Sequence, residues 1–213
     1  MNTVQVSLLL DPFLDQPLSQ VQLDQISIYI DLLLRWNARI NLTAIRKEDE
    51  IVTRHFGESF FLARHVFPTN VDRSSPTRAV DIGSGAGFPG LPLKLWAPQV
   101  QLTLIESNHK KAAFLREVVR ELTLTNVNVI TDRAESIAGR DDYQAEVVTL
   151  RAVENFETVL PIAAEFLAAH GTLALLIGAA QVPSLDTLCG IQWREPIPIP
   201  ESRARVLSIG AYL

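Results

Sequence analysis

Short apolar runs alternate with segments of helical periodicity over most of the chain, and this alternation restricts the fold more than any other feature. The predicted strands cover 78–82, 101–107, 126–131, 145–150 and 171–177, and the predicted helices between them cover 109–122 and 155–169. Strands that alternate with helices in this way usually lie parallel in one sheet, which the helices cover on both faces. The sequence therefore predicts an α/β fold.

The end of the chain departs from this alternation. Residues 191–200 and 203–213 both have the character of strands, but no helical segment lies between them. Proline cannot donate to a sheet ladder, so Pro196, Pro198 and Pro200 suit an edge strand better than a central one. We therefore expect an antiparallel pair to close the sheet.

A helical extension is predicted over residues 1–70, before a sheet domain that covers 78–213. Ser19 and Gln22 have the spacing of a capping box, in which a hydroxyl and a glutamine side chain satisfy the first free amides of a helix. The polar, turn-rich stretch 69–77 is the predicted linker between the two parts.

Two helices of the extension are predicted to bury one apolar face each. The first face comprises Ile26, Ile30, Leu33 and Trp36 or Asn37, and the second comprises Ile51, Phe56, Phe60 and Ala63. These residues recur every three to five positions, which is typical of amphipathic helices. The break at 41–43 separates the two helices, and we expect Thr43 or Asp49 to cap the second one.

The composition narrows the class of protein. The single cysteine, Cys189, excludes an internal disulfide framework and favours a reducing, cytoplasmic compartment. Asp11 and Pro12 interrupt the apolar start of the chain, so we expect no signal peptide. No apolar run reaches the roughly 18 residues of a membrane span, and the four histidines lack the spacing of metal ligands, so we expect neither a membrane nor a metal.

The most informative motif is AVDIGSGAGFPGLPLKLW at 79–96, where an apolar run meets four closely spaced glycines. A nucleotide-binding P-loop has Lys and Ser or Thr after its last glycine. Gly85 and Gly90 have the P-loop separation, but Leu91 and Pro92 follow them. No lysine is available for a β- or γ-phosphate, which argues against a nucleoside triphosphatase.

A dinucleotide-binding motif is the second alternative. The sequence GAGFPG, from Gly85 to Gly90, matches the pattern G-x-G-x-x-G. However, Gly83 already follows the strand, and Pro89 and Pro92 disturb the helix start that should meet a pyrophosphate. The match therefore leaves a dinucleotide open as a weaker interpretation.

Two carboxylates favour a third ligand. Asp81 precedes the glycines, and Glu106 ends the next predicted strand, so both lie where neighbouring parallel strands meet at one crevice. Glu106 can accept both hydroxyls of a ribose, Asp81 can orient an ammonium group directly or through water, and the glycines, Gly83 and Gly85 included, let the backbone approach. A ribose and an ammonium group without a phosphate describe S-adenosylmethionine. The alternative is that Glu106 is a solvated strand end and Asp81 a turn former.

The sequence resembles a known family, the guanine-N7 methyltransferases of small-subunit ribosomal RNA, which are also called glucose-inhibited division protein B. The most specific matching segment is DIGSGAGFPGLPL at 81–93. The other matching segments are LLRWNARINLTAI at 33–45, RHFGESFF at 54–61, LIESNHKKAAFLREV at 104–118, DRAE at 132–135 and RAV at 151–153. The sequence departs from the family pattern at Glu58, where Asp is usual, and at Leu150 and Ile177, on the substrate side of the cleft.

The resemblance implies a Rossmann-like, S-adenosylmethionine-dependent methyltransferase fold, with a mostly parallel seven-stranded sheet and an antiparallel last strand. It also implies that S-adenosylmethionine is the cofactor and 16S ribosomal RNA, free or in a ribosomal particle, the substrate. By position it implies cofactor contacts from Gly83, Phe88, Ala134, Glu135 and Arg151. Arg151 also follows the fourth strand, where the target base should enter; its alternative role is a structural ion pair.

The implied chemistry needs no catalytic base. Guanine N7 carries a lone pair and no proton, so alignment for in-line displacement is the main requirement.

Because the net charge of the chain is −5, binding to RNA requires a local basic patch. Six basic and four acidic side chains lie between Arg35 and His65. We predict that Arg39, Arg46, Lys110 and Lys111 form a basic rim for RNA phosphates, and we expect a monomer.

Two other functions stay open from the sequence alone. One is a methyltransferase that acts on a small molecule or a protein and shares only the cofactor half. The other is a cofactor-binding module with little activity, which the departures at Leu150 and Ile177 would fit. The polar residues Asn37, Arg39 and Asn41 favour RNA, because a lid over a small substrate would be apolar around the cleft.

Overall fold

A computed structural model describes residues 1–68, 77–152 and 155–212. The predicted linker lies outside the described residues apart from Thr77, and so does Val153 of the segment at 151–153. The helices of the first part are α1 (Thr3–Leu10), α2 (Gln20–Asn37), α3 (Glu48–Glu50) and α4 (Glu58–Val66), and a π-helical segment, Ile51–Gly57, joins α3 to α4.

Helix α2 has the start and the apolar face that the sequence predicts. The Ser19 hydroxyl accepts a hydrogen bond from the Gln22 amide, and the Gln22 side chain accepts one from the Ser19 amide. On the predicted face, Ile26, Ile30 and Leu33 are buried, and Asn37 rather than Trp36 completes the buried set. The capping box is therefore confirmed.

The start of the second helical segment differs from the prediction. Lys47 is the N-cap of α3, and neither Thr43 nor Asp49 caps it. Thr43 is unavailable for capping because its hydroxyl has other partners. It accepts a hydrogen bond from the Ile45 amide and forms another with Nε2 of His55. The predicted buried face of Ile51, Phe56, Phe60 and Ala63 is confirmed.

The second part is one eight-stranded sheet with helices on both faces. Its strands are β1 (Arg78–Ile82), β2 (Gln101–Ile105), β3 (Val127–Ile130), β4 (Ala145–Arg151), β5 (Leu167–Gly178), β6 (Ile191–Trp193), β7 (Ile197–Pro198) and β8 (Arg205–Tyr212). Its helices are α5 (Gly90–Trp96), α6 (His109–Glu121) and α7 (Phe156–Ala164).

The strand order is β3-β2-β1-β4-β5-β8-β6, and the short strand β7 pairs with β8 as well. Strands β1 to β5 are parallel, and β8 lies antiparallel to β5. The predicted strand 191–200 is divided into β6 and the two-residue β7, so the sheet has eight strands in place of the predicted seven. The proline-rich segment pairs only over Ile197–Pro198, as expected of an edge.

The boundary between α7 and β5 is the main error in the predicted elements. The helix predicted to residue 169 ends at Ala164, and β5 begins at Leu167 rather than after Gly171. Leu167 pairs with Ala145, whereas Thr172 pairs with Val147, so β5 contains an irregularity that absorbs the intervening residues. An irregularity of this kind leaves residues unpaired and disrupts the ladder locally.

One apolar core joins the helical extension to the sheet. Leu33 and Phe60 of the extension belong to the same buried cluster as Leu104 of β2 and Leu176 of β5. A second cluster on the other face packs α7 against the sheet. The division into 1–70 and 78–213 stays a prediction, but both parts share this core. No helix within the described ranges has the length and apolar character that crossing a bilayer requires.

Candidate active site

The turn after β1 is built on three glycines with left-handed backbone. Gly83, Gly85 and Gly87 have φ values of 66°, 55° and 88°, which L-residues with side chains rarely adopt. The turn is fastened to the end of β2, because the Ser84 amide donates to the Ile105 carbonyl at 3.0 Å. The backbone of the turn is therefore held at the carboxyl edge of the parallel strands.

Two of the glycines leave room for neighbouring side chains of the protein, whereas Gly85 borders an open space. A Cβ on Gly87 would overlap the Tyr29 hydroxyl, and one on Gly90 would lie 2.8 Å from Oδ2 of Asp81. These two glycines are required by packing inside the protein. A Cβ on Gly85 would meet nothing closer than the Gly83 carbonyl at 3.7 Å, apart from its chain neighbours, so the described residues leave the space beside Gly85 open.

Glu106 lies against this turn, as the sequence predicts. Its Oε2 accepts a hydrogen bond from the Gly85 amide at 2.8 Å, and its Oε1 accepts one from the Asn108 amide at 2.7 Å. Each carboxylate oxygen has a second lone pair, so these bonds leave acceptor capacity for hydroxyl groups. The carboxylate is thus fixed beside the open face of Gly85, which fits the ribose of an adenosyl group.

Asp81 lies beneath the turn and is fully buried. Its Oδ1 accepts a hydrogen bond from the Thr149 hydroxyl at 2.7 Å, and its Oδ2 accepts one from the Gly90 amide at 3.3 Å. Burial raises the pKa of this carboxyl to about 6. These bonds hold the turn against β4, and the orienting of an ammonium group by Asp81, directly or through water, stays a prediction.

Phe88 connects the turn to the helical extension. One face of its ring stacks on His55 at 4.7 Å and the other on Tyr29 at 5.3 Å, with Phe56 edge-on at 5.1 Å between ring centroids. The Tyr29 hydroxyl donates to the Ala86 carbonyl at 2.6 Å. These contacts hold the turn against the helical extension, and the contact of Phe88 with the cofactor stays a prediction.

Ala134 and Glu135 lie in a short 3-10 turn, Ala134–Ser136, that follows β3. Since β3 pairs with β2 in parallel, this turn is at the same edge of the sheet as Glu106. Ala134 is half-buried and Glu135 is exposed. The turn is therefore placed where an adenine edge next to the ribose would reach it, and the contact itself stays a prediction.

Arg151 belongs to a buried ion cluster centred on Glu58. Oε2 of Glu58 accepts from Arg151 at 3.2 Å and from Arg205 at 3.0 Å, and Oε1 accepts from Arg54 at 3.2 Å. Arg151 also donates to the Arg54 carbonyl at 2.7 Å. The ion pair that the sequence left as an alternative for Arg151 is therefore present, and it joins the helical extension to β4 and β8.

His55 lies next to this cluster. Its Nε2 is 2.8 Å from the Thr43 hydroxyl, and its Nδ1 is buried with no hydrogen-bond partner among the residues that the structure describes. Burial, and after it the positive charges of Arg151, Arg54 and Arg205, lower the pKa of His55 to about 3. The imidazole is therefore neutral at physiological pH.

The neutral state of His55 predicts a pH-dependent stability. Its pKa is about 3 in the folded chain and about 6.5 when exposed, so the unfolded chain binds the proton more readily between these values. Acidification from pH 6.5 to pH 4.5 should therefore reduce the free energy of unfolding by about 2–3 kcal/mol through this residue. Urea unfolding of the wild type and of His55→Gln across this pH range measures the effect.

The comparison between the two proteins isolates His55. Asp81, with its raised pKa, contributes the opposite trend, because the folded chain binds its proton more readily below pH 6. That contribution is common to both proteins and cancels in their difference. If the stabilities of the wild type and of His55→Gln changed in parallel with pH, this result would show that His55 is not a buried neutral group.

A family model described as rRNA small subunit methyltransferase G matches residues 22–188. The chain belongs to this family. It is 40% identical to the ribosomal RNA small subunit methyltransferase G of Chloroflexus aggregans, over 91% of this chain and 83% of that protein. It is 39% identical to the enzyme of the same name from Xylella fastidiosa, over 88% of each chain.

Solved structures agree on the fold. A predicted O-methyltransferase from Agrobacterium tumefaciens matches with a TM-score of 0.56 and 19% identity, over 73% of this chain and 80% of that one. The M. jannaschii TYW2 in complex with AdoMet matches with a TM-score of 0.54 and 19% identity, over 74% of each chain. Together with the family, these confirm the predicted Rossmann-like methyltransferase fold, and the family confirms S-adenosylmethionine as the cofactor class.

Three residues of this chain depart from the family pattern, and they lie in or beside the ion cluster. Leu150 and Ile177 are buried in β4 and β5 and line a cavity of about 70 Å³ together with Arg151, Arg205 and other residues. They lie near the carboxyl ends of β4 and β5, and their place on the substrate side of the cleft stays a prediction. Glu58, which replaces the usual Asp, retains the carboxylate that pairs with three arginines.

The predicted basic rim is accessible. Arg39, Arg46 and Lys110 are exposed, and Lys111 is half-buried. Lys110 and Lys111 lie in the first turn of α6, where their amides donate to the side chain of Asn108, two residues after Glu106. The two lysines are thus close in sequence and space to the cofactor edge, and their contact with RNA stays a prediction.

Proposed function

We propose that this chain transfers a methyl group from S-adenosylmethionine to N7 of a guanine in 16S ribosomal RNA, free or in a ribosomal particle. The observation that supports it most is the Glu106 carboxylate, which lies 2.8 Å from the amide of a left-handed glycine whose Cβ position is open. This arrangement fits an adenosyl ribose at the strand edge. The family model and the names of the curated relatives point to ribosomal RNA as the substrate.

The reaction requires positioning more than proton transfer. S-adenosylmethionine supplies an electrophilic methyl group, and guanine N7 supplies a lone pair, so no side chain needs to remove a proton. The chain contributes a fixed turn through Asp81 and Tyr29, a ribose acceptor through Glu106, and positive charge through Arg151. His55 stays neutral and does not act as a base at physiological pH.

The roles of the other predicted residues follow from their places. Gly83 and Gly85 present backbone to the cofactor, and Ala134 and Glu135 flank its adenine. Arg39, Arg46, Lys110 and Lys111 contact RNA phosphates, which orient the substrate without reading its sequence. The cytoplasmic location and the monomeric state stay predictions, and the reducing compartment that Cys189 favours supports the first.

A direct test is methyl transfer in vitro. Purified protein, labelled S-adenosylmethionine and small ribosomal subunits from cells that lack the gene should give labelled 16S RNA, with the label recovered as N7-methylguanine after digestion. Label that appears on protein or on small molecules instead would favour another methyltransferase activity, and absence of transfer despite cofactor binding would favour a binding module.

Glu106→Ala is expected to weaken S-adenosylmethionine binding by about 1–3 kcal/mol, because the ribose hydroxyls lose their acceptor in a closed site. Adenosine should lose affinity in parallel, since the same ribose is bound. Isothermal titration with both ligands measures the change. Glu135→Ala, at the exposed carboxylate of the neighbouring turn, is the matched comparison and should cost less. Unchanged affinity for both ligands in Glu106→Ala would remove Glu106 from the site.

Replacement of Lys110 and Lys111 by Ala together is expected to flatten the salt dependence of RNA binding. Each phosphate contact contributes about 0.7–0.9 to the slope of log affinity against log salt, so two contacts contribute about 1.4–1.8. Cofactor affinity should hardly change, and the preferred RNA site should survive. Binding measured from low to moderate salt for both proteins gives the slopes. An unaltered slope would leave Arg39 and Arg46 as the main RNA contacts.

A further inference from the structure

We propose that Tyr29, a residue of the helical extension, is a positioning residue for the cofactor, because its hydroxyl holds the glycine turn in the conformation that receives S-adenosylmethionine. The helical extension is then part of the cofactor site, in addition to its predicted contact with RNA. This inference rests on the proposed function for the place of the cofactor at the turn.

The glycine turn needs support from outside its own sequence. Its three left-handed glycines lack a Cβ, so their conformational preferences restrain the backbone only weakly. The first half of the turn is fastened to the end of β2 by the amides of Ser84 and Gly85, which donate to the Ile105 carbonyl and to Glu106. The second half, residues 86–88, lies against helix α2 of the extension.

Tyr29 contacts each residue of that second half. Its hydroxyl donates to the Ala86 carbonyl at 2.6 Å in a buried hydrogen bond, and its ring stacks on Phe88 with 5.3 Å between centroids and 7° between planes. A Cβ on Gly87 would overlap the same hydroxyl, so the backbone and the phenol approach each other closely. Tyr29 itself is fully buried, and its position is therefore fixed by packing.

The Tyr29 hydroxyl is a permanent donor. Burial, and after it the negative charge of Asp81, raise the pKa of Tyr29 well above its ordinary value, so the phenol keeps its proton at physiological pH. The Ala86 carbonyl is a buried acceptor, and leaving such a group without its partner costs more than the bond itself contributes. We therefore expect the peptide unit between Ala86 and Gly87 to reorient when the hydroxyl is removed.

Tyr29 also reaches the other half of the predicted ribose site. Its ring lies 6.2 Å from that of Phe114 in α6, and Asn108, the N-cap of α6, donates its amide to Oε1 of Glu106. The phenol thus lies between the glycine turn and the helix that follows Glu106. We expect a shift of Tyr29 to disturb the pairing of the Gly85 amide with the Glu106 carboxylate, which is the predicted ribose contact.

Tyr29→Phe tests the hydroxyl and keeps the ring. Binding of S-adenosylhomocysteine, measured by isothermal titration at a temperature where every protein is folded, should weaken about tenfold. Tyr212→Phe is the matched control, because the Tyr212 hydroxyl also donates to a main-chain carbonyl, that of Ala164 at 3.3 Å, but lies towards the amino ends of the parallel strands. It should keep the wild-type affinity. Equal affinities in Tyr29→Phe and the wild type, or equal losses in the two variants, would overturn the proposal.

A purely structural role of the hydrogen bond gives a different result. Tyr29→Phe would then lower the free energy of unfolding in urea, while the folded protein bound S-adenosylhomocysteine normally. In the methyl-transfer assay we expect a raised KM for S-adenosylmethionine with kcat little changed, since the turn binds the cofactor alike in the ground state and the transition state. A lowered kcat at unchanged KM would contradict the positioning role.

Gly87→Ala gives a second test of the same contact. The added Cβ overlaps the Tyr29 hydroxyl and lies 2.6 Å from Cδ1 of Leu91, so the turn must shift in the wild-type background. In the Tyr29→Phe background the first overlap is absent, so the further loss of S-adenosylhomocysteine affinity should be several-fold smaller. Independent losses that simply multiply would contradict the proposal. If Gly87→Ala does not fold, the comparison of Tyr29→Phe with Tyr212→Phe decides the matter.

The binding and transfer measurements distinguish failure of this inference from failure of the proposed function. If Gly85→Val and Glu106→Ala lose cofactor affinity and Tyr29→Phe does not, only the role of Tyr29 is refuted. If Tyr29→Phe weakens S-adenosylhomocysteine binding and the wild type transfers no label to 16S RNA, the proposed function is refuted and the role of Tyr29 in cofactor binding stands.

Discussion

Gly85→Val is expected to abolish S-adenosylmethionine binding while leaving a folded protein. The φ of 55° at Gly85 is unfavourable for a β-branched residue, at a cost of about 1–2 kcal/mol, but among the described residues, apart from its chain neighbours, only the Gly83 carbonyl lies within 4 Å of the new Cβ. The added methyl groups instead occupy the space beside Glu106, where we expect the backbone of the glycine turn to contact the ligand. Isothermal titration with S-adenosylmethionine and S-adenosylhomocysteine measures the loss.

Gly190→Val separates backbone strain from steric exclusion. Gly190 has a similar left-handed φ of 81° and an open Cβ position, but it precedes β6, away from the glycine turn. The Gly190→Val protein should lose a similar amount of stability and keep its affinity for the cofactor. Comparable ligand affinity in Gly85→Val and the wild type would contradict the placement of the cofactor at this turn.

Glu58→Ala is expected to destabilise the fold by about 3–5 kcal/mol, because it leaves buried guanidinium charge without its partner. The substitution removes the acceptor of Arg54, Arg151 and Arg205 at once, and with it the charged link between α4, β4 and β8. Glu58→Asp, the residue usual in the family, should retain much of the stability. Chemical denaturation monitored by circular dichroism gives the free energies.

Glu146→Ala is the comparison for Glu58→Ala. Glu146 pairs with Arg78 at 3.2 Å, but both side chains are more than two-fifths exposed, so the loss should stay below about 1 kcal/mol. Losses of the same size in the two variants would show that the Glu58 cluster contributes no more than a surface ion pair.

The sequence was sufficient for features that depend on local patterns. The alternation of apolar runs and helical segments predicted the parallel strands, and Ser19 with Gln22 predicted the start of α2, because each signal lies within a few residues. Glu106 was predicted beside the glycine turn since the ends of adjacent parallel strands meet in space. The end of α7 was misplaced because the apolar residues Phe166, Leu167, Ala168 and Ala169 fit a helix or a buried strand equally well.

Contacts between distant parts of the chain were beyond the sequence signals. Nothing in the spacing of Glu58, Arg151 and Arg205 indicates that they meet, since 93 and 147 residues separate the acid from the two bases. The requirement for glycine at 87 comes from Tyr29, which a helix of the extension brings to the turn. The burial of Asp81 likewise depends on Thr149 and Gly90 closing around it.

The central claim, that this chain methylates N7 of a guanine in 16S ribosomal RNA through the glycine turn, is tested most directly by mapping N7-methylguanine in that RNA from cells with and without the gene. The account predicts that one guanine loses its methyl group when the gene is removed. The modification should return with the wild-type chain and not with Gly85→Val. An identical N7 methylation pattern in cells with and without the gene would contradict the claim.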